Sequence, residues 1–152
     1  MNQRLVKEIM QRMLLTCLSN TPIDMVARRM NDYRVHALVV VDDDGYAIGI
    51  VSQTDLLIAH CRTETELSEC ITAGDIMTPA VITCTPETTI FDAVTTMTRH
   101  HIHRLVVVKP HTSKLYPLGV ISMTDIIRHL LNDSSDESQP ALPYQSDLSH
   151  RN

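Results

Sequence analysis

A chain of 152 residues with 43% hydrophobic and 20% charged side chains is long enough to bury one core, or one core shared by two small repeats. Its 13 Lys and Arg against 18 Asp and Glu, with no basic stripe, argue against a nucleic-acid binder. With 3% aromatic residues and no Trp the core has to be aliphatic, and no apolar run approaches the roughly 18 residues of a membrane span.

The chain opens Met-Asn-Gln-Arg-Leu-Val-Lys-Glu, which has no apolar signal region, so a cytoplasmic protein is expected. Residues 1–13 read as a short amphipathic helix with Leu5, Ile9 and Met13 on one side. Leu14 to Cys17 is a short extended piece. Ser19-Asn20-Thr21-Pro22 supplies a cap candidate followed by a first-turn proline, and Ile23, Val26, Ala27 and Met30 then recur at helical spacing over 22–33. Val35 to Val41 is a β-branched apolar run of strand length. Asp42-Asp43-Asp44-Gly45 is a turn, Tyr46 to Val51 the returning strand, and Thr54 to Cys61 a second helix with Leu56, Leu57 and Ala59.

After the polar stretch 63–72 the pattern restarts. Ile76-Met77 repeats Ile9-Met10, Thr83-Cys84 repeats Thr16-Cys17, Ile90 and Met97 repeat Ile23 and Met30, and His103 with Leu105 to Val108 repeats His36 with Leu38 to Val41. The offset is 67, and it becomes 70 at Gly119, Ser122, Thr124 and Asp125. The three extra residues fall in Lys109–Tyr116, a turn region where insertion is tolerated. The expected division is a lead-in at 1–6, repeat one at 7–62, a linker at 63–72, repeat two at 73–132, and a disordered polar tail at 133–152. Each repeat is strand-helix-strand-strand-helix. One copy of about 55 residues can hardly bury its apolar face, but two packed sheet to sheet with pseudo-twofold symmetry can.

The phrase Gly49-Ile50-Val51-Ser52-Gln53-Thr54-Asp55 returns as Gly119-Val120-Ile121-Ser122-Met123-Thr124-Asp125. Each copy is a strand that ends at a hydroxyl residue and turns directly into a helix. Two readings stand side by side. Ser-x-x-Asp matches a capping box in form, with Asp in place of Glu or Gln, and needs no ligand. Equally, a carboxylate can accept two hydrogen bonds from a vicinal diol, while hydroxyls and free helical N–H groups suit an anion. Cys17, Cys61, Cys70 and Cys84 form no C-x-x-C pair, so neither a zinc ribbon nor a redox motif is suggested, and Cys17 and Cys84 read as small buried residues. His100, His101 and His103 do not share one face, which favours solvated or phosphate-facing histidines over a metal site. Met10, Met25, Met30, Met77 and Met97 fall at core positions. Nothing in the sequence forms a glycine-rich phosphate loop, a nucleophile elbow or a carboxylate pair outside the caps, so an enzyme is not expected and no cofactor is required.

The Ile-Met near each repeat start, the Val-rich strands, the Asp-Gly turn and the twofold Gly-x-x-Ser-x-Thr-Asp resemble CBS domains, and the pair over residues 7–132 resembles a CBS (Bateman) module of α/β (α+β) class. His103-Arg104-Leu105-Val106-Val107-Val108 resembles the nucleotide-sensing γ subunit of AMP-activated protein kinase. The resemblance implies a regulatory module that senses an adenosyl compound (AMP, ADP, ATP or S-adenosylmethionine) between its repeats, acts on a protein target and forms a homodimer. It implies a first site of Ser52, Thr54 and Asp55, with Val81 and Ile82 against adenine and His103 and Arg104 toward phosphate. It implies a second site of Ser122, Thr124 and Asp125, with Leu14 and Leu15 against adenine and His36 toward phosphate. Ala37 stands where the other repeat has Arg104, so the second site is expected to be empty or to take a less charged ligand. The alternative is a structural or protein-interaction module with vestigial sites.

Overall fold

The Val-rich strands fix the architecture because both of their faces are buried. The structure is a computed structural model and describes residues 4–62, 70–79 and 81–133. Its first half runs α1 (Val6–Ile9), β1 (Thr16–Leu18), α2 (Ile23–Tyr33), β2 (Ala37–Val41), β3 (Ala47–Ser52) and α3 (Gln53–Arg62). The second runs α4 (Ala73–Ile76), β4 (Thr78–Pro79), β5 (Thr83–Cys84), α5 (Ile90–Arg99), β6 (Arg104–His111), β7 (Lys114–Ser122) and α6 (Met123–Asp133). In β2 the side chains alternate: Leu38 and Val40 meet the helices of their own half, while Val39 and Val41 meet Val106 and Val108 of the other sheet. A strand covered on both faces reads as an unbroken apolar run rather than an alternating one. Each such aliphatic side chain contributes roughly 1.5–3 kcal/mol on burial.

One sheet has the order β1-β2-β3-β4 and the other β5-β6-β7. The first strand of each half lies parallel to the second, with Thr16 opposite Val39 and Thr83 opposite Val106. The hairpins that follow are antiparallel, and both bulge at the same place, between Val40 and Val41 and between Val107 and Val108. Gly45 closes the first hairpin turn at φ +88°. There Asp42 Oδ1 accepts the Asp44 and Tyr46 N–H groups at 3.1 and 2.9 Å.

The lead-in segments are exchanged between the halves. Val6, Ile9 and Met10 pack into the core around Met97, Leu105 and Ile121, whereas Ala73, Ile76 and Met77 pack into the core around Met30, Leu38 and Val51. The backbone follows: β4 pairs with β3 through Thr78 opposite Ile50, and Gln11 bridges Val120. This crossing explains the glycine of the repeated phrase. A Cβ on Gly119 would run into the Gln11 carbonyl oxygen, and one on Gly49 into the Met77 thioether.

Several expectations are corrected. Among the described residues the helix expected over 1–13 covers only Val6–Ile9, because Met10 turns extended and Gln11 exchanges both backbone hydrogen bonds with Val120, and residues 1–3 lie outside the described residues. Met13 is consequently 75% exposed. Met25 is 48% exposed rather than core, since the buried stripe of α2 is Ile23, Val26 and Met30, and Ala27 also faces outward. Leu57 is exposed while Leu56 packs inward. Pro22 occupies the cap position of α2 itself, with no side-chain cap there. The three inserted residues do not make a slack loop. They lengthen β6 and β7 to His111 and Lys114, and Lys114 Nζ reaches Asp42 and Asp44 of the other hairpin at 3.1 Å each. Residues 63–69 of the linker and 134–152 of the polar tail lie outside the described residues. Cys17 and Cys84 are buried, and burial pushes the Cys84 thiol up to about 11.

Candidate functional site

Each repeated phrase ends its strand at a serine that starts the next helix, and both serines close a capping box. Asp55 Oδ2 accepts the Ser52 N–H and Oγ–H at 2.7 Å each, and the Asp55 N–H donates back to Ser52 Oγ at 3.3 Å. Asp125 Oδ2 accepts the Ser122 N–H at 3.0 Å and its Oγ–H at 2.6 Å, with the Asp125 N–H returning at 3.2 Å. The strand before each helix contributes as well: the His36 carbonyl accepts the Gln53 N–H, and the His103 carbonyl accepts the Met123 N–H. The capping reading of the phrase therefore holds in both halves. It occupies one carboxylate oxygen of each aspartate and leaves the other to be accounted for.

The two aspartates differ in that second oxygen. Among the described residues Asp55 Oδ1 takes no hydrogen bond, and Asp55 is half-buried at the wall of a cleft. Asp125 is only 8% exposed. Its Oδ1 accepts Gln11 Nε2 at 2.6 Å and lies 3.7 Å from the Arg128 guanidinium. The repeat offsets make Thr78 the counterpart of Gln11, and Ile58 the counterpart of Arg128. Ile58 has no donor, and among the described residues the Thr78 hydroxyl makes no hydrogen bond to Asp55.

The first cleft has a volume of about 520 Å³ and brings together all seven residues expected for site one: Ser52, Thr54, Asp55, Val81, Ile82, His103 and Arg104. Thr78, His36, Ala37 and His101 also line it. The second cleft, of about 290 Å³, brings together Leu14, Leu15, His36, Ser122, Thr124 and Asp125, the six expected for site two. The exchanged lead-ins make this possible, because they carry Val81 and Leu14 across to the phrase of the opposite half.

The expected charge contrast is not what the structure holds. Ala37 does remove one guanidinium, yet Arg104 lines both clefts, and Arg34 and Arg128 line the second. Arg34 reaches it from the left-handed turn that ends α2, at φ 54°; its counterpart His101 has the same φ of 54° and lines the first cleft. Among the described residues no three His, Cys, Asp or Glu side chains converge as a metal ion would need, and no helix is long and apolar enough to cross a membrane.

Two exchanged strand-helix-strand-strand-helix repeats, packed sheet to sheet and leaving a cleft at each serine-started helix, define a tandem-repeat architecture with two clefts. The chain belongs to the CBS domain family, whose model matches residues 6–61 and 73–132. It is 31% identical over 125 residues to the pig (Sus scrofa) 5′-AMP-activated protein kinase subunit gamma-3, covering 79% of this chain and 24% of that protein. It is 29% identical over 129 residues to the mitochondrial CBS domain-containing protein CBSX3 of Arabidopsis thaliana, covering 82% and 60%. The chain thus spans about a quarter of the length of the gamma-3 subunit it matches. Among solved structures, the CBS domain pair of protein MJ0100 in complex with 5′-methylthioadenosine and S-adenosyl-L-methionine superposes with a TM-score of 0.74 at 25% identity, over 86% of this chain and 98% of that one. CBSX2 in complex with AMP superposes with a TM-score of 0.70 at 25% identity, over 86% and 98%.

Proposed function

We propose that the chain is a regulatory binding module, not an enzyme, and that its first cleft takes an adenosyl compound. The observation that carries this reading is Asp55 Oδ1, an acceptor without a hydrogen-bond partner among the described residues, in a cleft of about 520 Å³ that also holds Arg104. Ligand pockets run from roughly 300 to 1,000 Å³, so this one admits a nucleoside. Asp55 would accept the ribose hydroxyls, Val81 and Ile82 would cover adenine, and Ser52, Thr54, His103 and Arg104 would face phosphate. AMP, ADP, ATP and S-adenosylmethionine share the part of the ligand that Asp55 recognises. The solved CBS pairs with AMP or with S-adenosyl-L-methionine support this class.

The output would be a change in the relative angle of the repeats, favoured by whichever ligand prefers one state, and read by a protein target. A homodimer fits the outer helix faces, where Leu57, Phe91, Ile127 and Leu131 are exposed. The alternative of a vestigial site has an observation in its favour only at the second cleft, where both oxygens of Asp125 accept hydrogen bonds within the protein. A thermal-shift panel of AMP, ADP, ATP, S-adenosylmethionine, NAD and adenosine tests the reading. A ligand at ~100 times its dissociation constant adds about 2.7 kcal/mol, and that shift should be absent in Asp55→Ala. A flat panel with wild-type protein would leave only the interaction-module reading.

A further inference from the structure

The second cleft carries guanidinium groups that the nucleoside reading of the first does not use. Arg34 and Arg128 line it and do not line the first cleft, and Arg104 lines both. One carboxylate, Asp125, stands against these three cations. Asp125 already accepts three hydrogen bonds, from the Ser122 N–H and Oγ–H on one oxygen and from the Gln11 amide on the other, with the Arg128 guanidinium 3.7 Å from the second oxygen. A vicinal diol would have to compete with the Gln11 amide for the second oxygen of Asp125. The cavity, about 290 Å³, is also at the small end of ligand pockets. A planar guanidinium matches phosphate oxygens in pairs, and two of these three, Arg34 and Arg128, have His101 and Ile58 as their repeat counterparts.

We propose that the second cleft is a phosphate-binding pocket with no ribose requirement, formed around Arg34, Arg104 and Arg128. Two sources present the same oxygens: a free anion such as pyrophosphate, or the outer phosphates of a nucleotide seated in the first cleft beside the shared Arg104. Only the second source rests on the nucleotide reading of the first cleft.

The test is calorimetric titration of the full chain with sodium pyrophosphate, ATP, AMP and adenosine, using wild type, Arg34→Ala, Arg34→Asn and Asp55→Ala. Asn tolerates the left-handed backbone at position 34, so Arg34→Asn separates loss of charge from loss of the turn. For a free anion, pyrophosphate binds wild type and Asp55→Ala alike, and both Arg34 variants weaken it about tenfold, the loss of one charge-assisted contact. For nucleotide-borne phosphate, both Arg34 variants weaken ATP about tenfold while AMP is unchanged, and Asp55→Ala weakens both nucleotides. Pyrophosphate and ATP affinities that are unchanged in the Arg34 variants would overturn the proposal, as would two adenosine molecules bound per wild-type chain. Pyrophosphate binding by a protein that takes no nucleotide would retain this proposal and dismiss the one for the first cleft.

Discussion

The two clefts grow from the same seven-residue phrase, yet the aspartate at the end of each phrase meets a different world. Among the described residues one oxygen of Asp55 takes no hydrogen bond, with Thr78 and Ile58 at the positions that match Gln11 and Arg128. Asp125 has both oxygens engaged, by Ser122 on one side and by Gln11 and Arg128 on the other. The identical residues do the structural work of starting a helix. The differing residues around them decide which further contacts the carboxylate makes within the protein. A repeated motif in a duplicated protein is therefore evidence for two similar helix caps, and only its neighbours are evidence for two similar sites.

The largest change in behaviour should come from converting one cleft into the other. Gln11→Thr combined with Arg128→Ile installs around Asp125 the residue types of the repeat counterparts Thr78 and Ile58, frees its Oδ1, and should raise adenosine bound from one to two molecules per chain in a calorimetric titration. If the count stays at one, carboxylate availability is not what separates the clefts.

Next come the glycines that let the exchanged lead-ins cross. Gly119→Ala places a methyl against the Gln11 backbone carbonyl and should cost about 3 kcal/mol in urea unfolding. Gly49→Ala meets first the Met77 thioether, which can rotate away, and should cost about 1 kcal/mol. Equal costs would count against an asymmetric crossing. Smaller still is the difference between the aspartates. Asp55→Ala loses a cap worth about 1 kcal/mol. Asp125→Ala loses a cap and also the hydrogen bond from the Gln11 amide, so about 2 kcal/mol is expected from the same unfolding experiment.

The smallest effect concerns the hairpin tips. The Tyr46 N–H first of all, and Lys114 with it, hold the Asp42 carboxyl below its ordinary value of 3.8, while Asp44 and Asp42 push the Lys114 ammonium above its ordinary 10.5. Because the folded-state value of Asp42 is lowered, its contribution is present above pH 3.8 and fades as pH falls through the lowered value. Because that of Lys114 is raised, its contribution is present below pH 10.5 and fades as pH rises through the raised value. Lys114→Ala should lower the melting temperature slightly at neutral pH, and the difference from wild type should close in acid below the Asp42 transition.

Much of this was legible in the sequence. The offset of 67 aligned the strands and helices of the two halves, and the β-branched runs at Leu38–Val41 and Leu105–Val108 marked strands buried on both faces. The residues expected at each site are brought to one cleft apiece. What periodicity could not carry was anything that depends on a partner distant in the chain. Met25 lies one position off the buried stripe of α2, and helical spacing alone did not separate it from Val26. The exchange of the lead-ins was invisible because Ile9 and Ile76 look alike whichever core receives them. The Gln11 contact to Asp125 spans 114 positions and follows only from that exchange. One signal was available: Arg128 stands three residues after Asp125 on a helix, a spacing at which side chains meet, and the repeat alignment sets Ile58 opposite it. Arg34 was hidden for another reason, since its approach to the second cleft needs the left-handed turn after α2.

Titration calorimetry with AMP on wild type, Asp55→Ala and Asp125→Ala addresses the inequality of the two aspartates most directly. One AMP per wild-type chain, lost in Asp55→Ala and retained in Asp125→Ala, is the expected result. Two AMP per chain, with one lost in each variant, would show that both carboxylates receive a ribose and that the engagement of Asp125 by Gln11 and Arg128 gives way to ligand.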